Sequence, residues 1–259
     1  MKKFIALLLS LLLAFSLFGC GKKENDGGKN SKGSVSAVAS RKYEAVFASS
    51  GGEEAAKLDA NVPAIDEETY GEAAATFNRY FDDYLSAVSS DLNLNADNII
   101  KTLKNIGADA PRITQITYEV YFESDSLVSV LISTKIGSHP EDATPEKKPM
   151  TFSLITGERM SLADFRIDET DANYIDEMLE GVLKQADKTY SPNGVLLSNE
   201  KKEILSGFYE PDEFLISEYG EYVFIFPLDY VSEGSRTGDY YCNVPTEYVE
   251  EYFINPLDY

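Results

Sequence analysis

Apolar residues recur at three- and four-residue spacing in three segments of the chain, which is the period of an amphipathic α-helix. The first segment follows Asp66, a residue type that caps helix N-termini, and continues to about Val88. The second covers residues 96–105 and ends before Gly107. The third, residues 171–188, has the clearest apolar stripe. The pattern therefore predicts three helices.

A period of two residues replaces the helical period after residue 111. Apolar and polar side chains alternate over residues 116–123, which predicts a half-buried strand. Residues 127–133 and 150–155 predict two more strands, and residues 137–149 predict a Pro-rich acidic loop between them. Because these connections are too short for parallel crossovers, the three strands are expected to form an antiparallel meander.

Shorter strand patterns occur near both ends of the chain. Residues 42–48 predict a first strand, and residues 60–65, which include Pro63, are expected to be extended or irregular. Near the C-terminus the predicted elements are a hairpin of residues 214–217 and 222–226 and a last strand at residues 239–244. The sum predicts an α+β fold, with an antiparallel β-sheet meander and helices packed on one face.

The first twenty residues have the layout of a bacterial lipoprotein signal. Lys2 and Lys3 precede an apolar run over residues 4–18, and Gly19 stands before Cys20. The run is shorter than the roughly 20 residues that a membrane-spanning helix needs. The pattern predicts a signal peptide at residues 1–19, cleavage before Cys20, lipidation of the Cys20 thiol, and an extracytoplasmic, membrane-anchored chain.

Charge divides the remaining chain into two parts. Residues 20–42 are rich in Gly, Ser, Lys and Asn, and they predict a lipidated, flexible and basic tether. From Tyr43 onward, 15 basic residues face 42 acidic residues, a balance of −27. This net negative charge disfavours binding of nucleic acid, whose phosphates need Lys and Arg, and it favours cationic partners. Acidity that only keeps an exported protein soluble is the simpler interpretation.

Searches for catalytic and metal-binding patterns mostly fail. His139 is the one histidine, so zinc sites built on paired histidines are excluded; a solvated loop histidine or a pH-sensitive contact are the two interpretations. The S-x-x-K match at Ser198 lacks its companion motifs, and the calcium-loop pattern that begins at Asp91 lacks its Gly and its final Glu. No catalytic residue, metal or cofactor is predicted.

Tyrosines are concentrated at the C-terminal end, where the last 52 residues hold nine of the 17. Tyrosine contributes rigid, amphipathic contact area at interfaces, and it is also a good strand residue. Core packing and a recognition surface are therefore both open interpretations. Together with His139, the candidate binding residues are Tyr230, Tyr240 and Tyr241, and Cys242 beside them is predicted to be a small buried hydrophobe.

An ordered set of short motifs resembles a known family. Residues 150–165, MTFSLITGERMSLADF, are similar to the strand, Thr-Gly turn and Leu-x-Asp-Phe step of the RsiV-like ectodomain family. The matching motifs that follow in order are Phe208-Tyr209, Phe214-Leu215, Phe224-Ile225-Phe226-Pro227 with Tyr230, Gly238, and Val244-Pro245. Members are extracytoplasmic modules, mostly of unknown function, of which some belong to lysozyme-sensing anti-sigma factors.

The resemblance covers residues 110–255, so the ectodomain is divided into an N-terminal helical part at 43–110 and an RsiV-like α+β domain at 111–259. Three residues precede the apolar run, so the resemblance implies the binding module and not a cytoplasmic signalling arm. Together with the lipoprotein signal and the acidic balance, it predicts a non-enzymatic, lipid-anchored protein that binds lysozyme or another cationic extracellular protein. A cell-wall glycan-acting enzyme and a solute-binding lipoprotein are the alternatives.

Overall fold

Two β-sheets and two helices make up the described part of the chain. The computed structural model describes residues 36–167, 181, 212–227, 239–244, 249, 250 and 252–259. The larger sheet has five strands in the order β1-β2-β3-β4-β5, and the smaller sheet has three in the order β6-β7-β8. The strands are β1 Val38–Ala48, β2 Glu54–Ile65, β3 Arg112–Glu123, β4 Leu127–Gly137, β5 Glu146–Ser153, β6 Leu215–Ile216, β7 Tyr222–Pro227 and β8 Asp239–Asn243. This is the predicted α+β class.

The predicted meander is confirmed, because β3 pairs antiparallel with β4 and β4 pairs antiparallel with β5. Its strands are longer than predicted. β4 reaches Gly137 and β5 starts at Glu146, so the expected acidic loop at 137–149 is shorter. β5 continues through Pro149. The sequence interpretation had placed the boundary between loop and strand at this proline. Proline is tolerated there because β5 is an edge strand.

The sheet is larger than the meander and not wholly antiparallel. β1 and β2 form an antiparallel pair, and β2 pairs in parallel with β3 from Ala56↔Arg112 to Ala60↔Ile116. The segment predicted as extended or irregular is therefore the end of β2. Pro63 lies beyond the last residue of β2 that pairs with β3, so no ladder bond is lost on that side.

These pairings bear on the expected segment boundaries. β1 begins at Val38, so the last five residues of the predicted tether at 20–42 are strand residues. The division at residue 110 falls inside one compact unit, Ser36–Tyr259, whose main sheet takes strands from both sides of it.

Two helices, α1 (Glu67–Leu94) and α2 (Ala96–Ile106), connect β2 to β3, as a parallel neighbour requires. The predicted cap is confirmed: the Asp66 carboxylate accepts hydrogen bonds from the backbone N–H and the hydroxyl of Thr69. These bonds lower the pKa of Asp66. α1 bends at Gly71, whose φ of 55° and ψ of −126° are not helical.

Both helices cover one face of the main sheet, as predicted. The core lies between the helices and the sheet. Aromatic rings form its centre: Phe77 lies 4.8 Å from Phe152 and 5.2 Å from Phe81 between ring centroids, and all three side chains are fully buried. Val128, Val130 and Ile132 of β4 belong to the same cluster. Their spacing of two residues is what places them on one face of the strand.

The smaller sheet covers the opposite face of β4 and β5. Ile216 N–H donates to Ser129 Oγ at 3.0 Å, the Ser129 and Thr151 hydroxyl oxygens lie 2.6 Å apart, and Thr151 Oγ1 donates to the Phe214 carbonyl at 3.1 Å. Because the Thr151 proton goes to Phe214, Ser129 must donate to Thr151. The two buried hydroxyls thus form one directed chain of hydrogen bonds between the sheets.

The turn after β5 approaches α1 very closely. Gly157 has φ +76°, and a Cβ built on it would lie 1.9 Å from the carbonyl oxygen of Ala73. A side chain is excluded there on both conformational and steric grounds. Shortly after this turn, Leu162–Phe165 form a 3₁₀ helix. The helix predicted at 171–188 lies outside the described residues, apart from Gly181.

Candidate functional site

The structure describes the side chains of two of the four candidate binding residues, His139 and Tyr241. Tyr230 and the lipidation residue Cys20 lie outside the described residues, and for Tyr240 only the backbone, in β8, is described. Tyr241 belongs to a side-chain cluster between the two sheets. His139 is exposed in the loop before β5, with Nδ1 3.6 Å from Glu141 Oε1. The described contacts of Tyr241 do not include His139.

A β-bulge in β3 lies at Tyr121, the first ring of this cluster. Along β3, Glu119 pairs with Leu131 and Val120 with Val130, but Phe122 pairs with Ser129, so Tyr121 is an extra residue. Pairing with Ser129 places Phe122 on the face that Tyr121 already occupies. Strict alternation, which the sequence predicted for this strand, therefore ends at Val120, and two successive aromatic residues face the smaller sheet.

Tyr121 and Tyr241 form a parallel ring pair. Their ring centroids are 6.4 Å apart and their planes differ by 5°, which is an offset arrangement within the favourable range for aromatic pairs. Both rings are half-buried and pack against a small apolar cluster of Leu131, Leu215 and Val223. The pair is therefore a rigid aromatic surface at the junction of β3, β4 and β8.

Lys147 holds the Tyr241 hydroxyl and is itself paired with Asp239. Lys147 Nζ donates to Tyr241 Oη at 2.6 Å and lies 3.1 Å from Asp239 Oδ2. The same Nζ is 4.9 Å from the centroid of the Tyr241 ring. Since the hydroxyl oxygen is much nearer than the ring centre, the contact is a hydrogen bond and not a cation–π interaction. We call Tyr121, Tyr241, Lys147 and Asp239 the tyrosine cluster.

The protonation states in the tyrosine cluster follow from burial and from its hydrogen bonds. Burial, together with its interaction with Tyr241, raises the pKa of Tyr121 well above its usual value. Burial lowers the pKa of Lys147, but hydrogen bonds to Tyr241 and Asp239 outweigh that effect and raise it. Near neutral pH Tyr121 is thus protonated and Lys147 is charged, so neither supplies a base or an amine nucleophile.

The sequence interpretation found one member of the tyrosine cluster, Tyr241, and missed the other three. Tyr121 was assigned to the polar face of its strand, and the sequence does not show that the smaller sheet covers that face. Lys147 was assigned to a loop, although the alternation Lys147, Pro149, Thr151 against Lys148, Met150, Phe152 does signal a strand. Asp239 carries no local signal that relates it to Lys147.

Metal-ligand groups and membrane-spanning helices are both absent from the part of the chain that the structure describes. Within that part of the chain, no group of three or more His, Cys, Asp and Glu side chains is arranged to hold a metal ion. No helix there is both long enough and apolar enough to cross a membrane. Cys242, predicted to be a small buried hydrophobe, is fully buried in β8.

Comparison with known proteins finds similarity at the level of the fold. No protein-family model matches the chain, and no curated protein matches it. A solved DUF3298 family protein from Pseudomonas aeruginosa has 12% sequence identity to the chain and a TM-score of 0.52. The match covers 86% of this chain and 97% of that protein. A DUF3298 family member from Bacteroides fragilis has 14% identity and a TM-score of 0.47, over 86% and 96% of the two chains.

The Pseudomonas structure shows that this α+β arrangement occurs in a protein of the DUF3298 family, a domain of unknown function. The likeness concerns the fold alone. The RsiV-like resemblance of the sequence is compatible with it and remains a prediction.

Proposed function

We propose that the chain is a lipid-anchored, extracytoplasmic binding module whose partner is a cationic extracellular protein, lysozyme being the first to test. The observation that carries the proposal is the tyrosine cluster, a rigid pair of half-buried rings fixed by a charged side-chain network. Tyrosine is enriched among the residues that dominate the energetics of protein interfaces. Cys20 is the proposed point of lipidation, and the residue pattern around it supports this role.

The distribution of charge supports a cationic partner. The helix α1 exposes six carboxylates and one arginine to solvent: Glu67, Glu68, Glu72, Asp82, Asp83 and Asp91 against Arg79. Asp82 is paired with Arg41 at 2.7 Å, which leaves the other five without a described ion pair. A field of this sign accelerates encounter with a basic protein and disfavours acidic ones.

A binding titration tests the proposal. The chain from Ser36, which includes all of β1, is titrated with lysozyme and with an unrelated protein of similar basicity at low and at physiological salt. We expect lysozyme binding to persist at physiological salt and binding of the unrelated protein to disappear. Equal binding of the two proteins that salt abolishes would contradict a specific partner.

A substitution at the ring pair tests the surface itself. Tyr241→Ser is expected to raise the dissociation constant for lysozyme by about tenfold, the effect of losing one interface anchor. The matched control is Tyr219→Ser, at a tyrosine that is 73% exposed in the β6–β7 turn and outside the tyrosine cluster. If the two variants bind equally well, the tyrosine cluster is not the contact surface.

Lipidation is tested separately in cells. Labelling with an alkyne analogue of palmitate should mark the wild-type chain, and Cys20→Ser should abolish the label. Cys242→Ser serves as the control for labelling at the other cysteine, which is buried. A label that survives Cys20→Ser would remove the anchor from the proposal and leave the binding module untouched.

A further inference from the structure

A groove separate from the tyrosine cluster lies between α2 and the ends of β3 and β4. Its volume is about 490 Å³, and its lining includes Asn98, Ile99, Leu103, Ile106, Arg112 and Ile136. Sites for small ligands in proteins usually fall between roughly 300 and 1,000 Å³, and they combine an apolar wall with a few polar groups. The groove has the volume and the composition of such a site.

The apolar wall of the groove is only partly covered by the fold. Ile99 and Leu103 are buried, whereas Ile106 and Ile136 are 71% and 43% exposed. α2 presents its groove side at the spacing 99, 103 and 106, and Ile136 stands opposite on β4. Two exposed isoleucines that face the same groove offer apolar area that a ligand can remove from water.

Arg112 contributes the one charged side chain of the groove lining, and this side chain has no hydrogen-bond or ion-pair partner in the described part of the chain. Its Nε is shielded from solvent and makes no hydrogen bond, and no described carboxylate lies within 4.0 Å of the guanidinium. Seven other described cations have carboxylate partners, whereas no described carboxylate pairs with Arg79, Lys101 or Lys135; the seven are Arg41, Lys42, Lys57, Lys104, Lys147, Lys148 and Arg159. Arg112 lines the groove without a carboxylate partner, and a carboxylate on a ligand would supply one.

We propose that this groove binds a small amphiphile that has one carboxylate and an apolar tail. Arg112 takes the carboxylate, because the planar guanidinium matches its two oxygens with two parallel hydrogen bonds. The tail lies on Ile99, Leu103, Ile106 and Ile136. This inference does not depend on the tyrosine cluster or on lipidation.

The charges around the groove orient the ligand. An adjoining cavity shares Ile106 and Ile136 with the groove, and its lining includes Asp109 and Asp142. These two carboxylates repel an anionic head group. The head group is therefore directed to Arg112, and the tail is left to the isoleucine side. Lys104 is paired with Glu53, and Lys101 balances Asp97 on α2, so the helix adds no net repulsion.

Methyl-resolved NMR of the full chain labelled at isoleucine tests the proposal, because Ile99, Ile106 and Ile136 report on the groove and buried Ile116 reports on the fold. The probes are hexanoate, a fatty acid, and N-acetyl-leucyl-leucine, a peptide carboxylate; hexanol and hexylamine are controls. We expect a carboxylate probe to shift the groove methyls with the tightest binding, followed by hexanol. The tighter carboxylate identifies the source of the ligand.

Two variants make the test specific. Arg112→Gln should raise the dissociation constant of the carboxylate probes by about tenfold, since a charge-assisted hydrogen bond is lost. The dissociation constant of hexanol should not change. Ile106→Ser, at an exposed position that cannot disturb the core, should weaken the binding of the carboxylates and of hexanol. Arg79→Gln, at an exposed arginine on α1, is the matched control and should change neither.

Three results would overturn the proposal. The first is that the groove methyls shift with neither carboxylate, and the second is that hexanol binds as tightly as the carboxylates. The third result is an Arg112→Gln variant that binds the carboxylates with the wild-type dissociation constant. If Arg112→Gln disturbs the Ile116 signal and thus the fold, Ile106→Ser decides the matter. Unchanged carboxylate binding by that variant would also overturn the proposal.

Discussion

The two faces of the five-stranded sheet are held in different ways. On the helix face, Phe77, Phe81 and Phe152 pack into a fully buried apolar core with α1 and α2. On the other face, the smaller sheet meets β4 and β5 through hydrogen bonds that include the buried hydroxyls of Ser129 and Thr151. The first face depends on apolar area and shape, whereas the second adds directed polar contacts to a small apolar cluster of Leu131, Leu215 and Val223.

This difference shows which face fixes the orientation of the elements packed on it. Apolar burial is nearly independent of direction, so the helix face contributes stability but fixes few orientations. Hydrogen bonds between buried groups require fixed positions, so the second face sets the placement of β6 to β8. The tyrosine cluster lies at the edge of that second face. The comparison predicts that core substitutions reduce stability, whereas polar substitutions on the other face disturb the candidate site.

The largest expected effect is at the core. Phe81→Ala should lower the free energy of unfolding by about 4 kcal/mol, because it removes a buried ring and leaves a cavity. Urea denaturation measures the change. Leu94→Ala, at the exposed end of the same helix, is the control and should change stability by less than about 0.5 kcal/mol. A similar loss in the two variants would contradict the assignment of Phe81 to the core.

A slightly smaller effect is expected where the chain approaches α1. Gly157→Ala combines a strained positive φ with a clash against the Ala73 carbonyl, so we expect a loss of about 3 kcal/mol. Gly137→Ala is the matched control, since its Cβ would stand 3.7 Å from the nearest atom. Thermal unfolding followed by circular dichroism compares the two. Equal midpoints would show that the turn does not contact the helix as described.

Breaking the polar chain on the second face should cost less, about 2 kcal/mol. Ser129→Ala leaves the N–H of Ile216 without its acceptor in a buried place. The expected signature is slower lysozyme association or weaker binding as well as the stability loss, because β6 and the tyrosine cluster share this face. Thr117→Ala, at an exposed position on β3, is the control. Stability loss with intact binding would separate the polar chain from the site.

The smallest effect at neutral pH is expected for Tyr222→Phe. It removes the hydrogen bond from Tyr222 Oη to the carbonyl of Ile254, a loss of about 1 kcal/mol. Burial raises the pKa of Tyr222, so the folded state keeps this proton when the unfolded chain loses it near pH 10. Stability of the wild type should therefore fall as the pH rises above about 10.

The alkaline slope provides the decisive measurement for Tyr222. Urea denaturation at several values between neutral pH and about pH 11 should give a shallower decline for Tyr222→Phe than for the wild type. The decline should not vanish, because burial also raises the pKa of Tyr121. Parallel curves for the two proteins would mean that Tyr222 is not responsible for the alkaline loss.

Local patterns in the sequence were sufficient for many elements. The Asp66 cap, the two helices before residue 107, the three meander strands and the C-terminal hairpin follow from period, caps and turn residues. These features depend on neighbours within a few positions, which is the range over which a sequence pattern is informative. The bounds were less accurate where proline stands inside a strand, at Pro63 and Pro149.

The tyrosine cluster could not be predicted in the same way. Tyr121, Lys147 and Asp239 are brought to Tyr241 by pairings between distant segments, and the bulge at Tyr121 places Phe122 on the same face as the Tyr121 ring. Similarly, Arg112 looks like an ordinary strand residue in the sequence. Its lack of a carboxylate partner is visible only once α2 and β4 are placed beside it.

The sequence by itself therefore determined the α+β class, the faces of the helices and strands, and the strongly acidic balance of the chain from Tyr43 onward. The tertiary structure alone decided the parallel pairing of β2 with β3, the smaller sheet on the second face, and the residues that meet in the tyrosine cluster and the groove. The physical reason is that periodicity records whether a side chain is buried. It does not record which distant segment buries it.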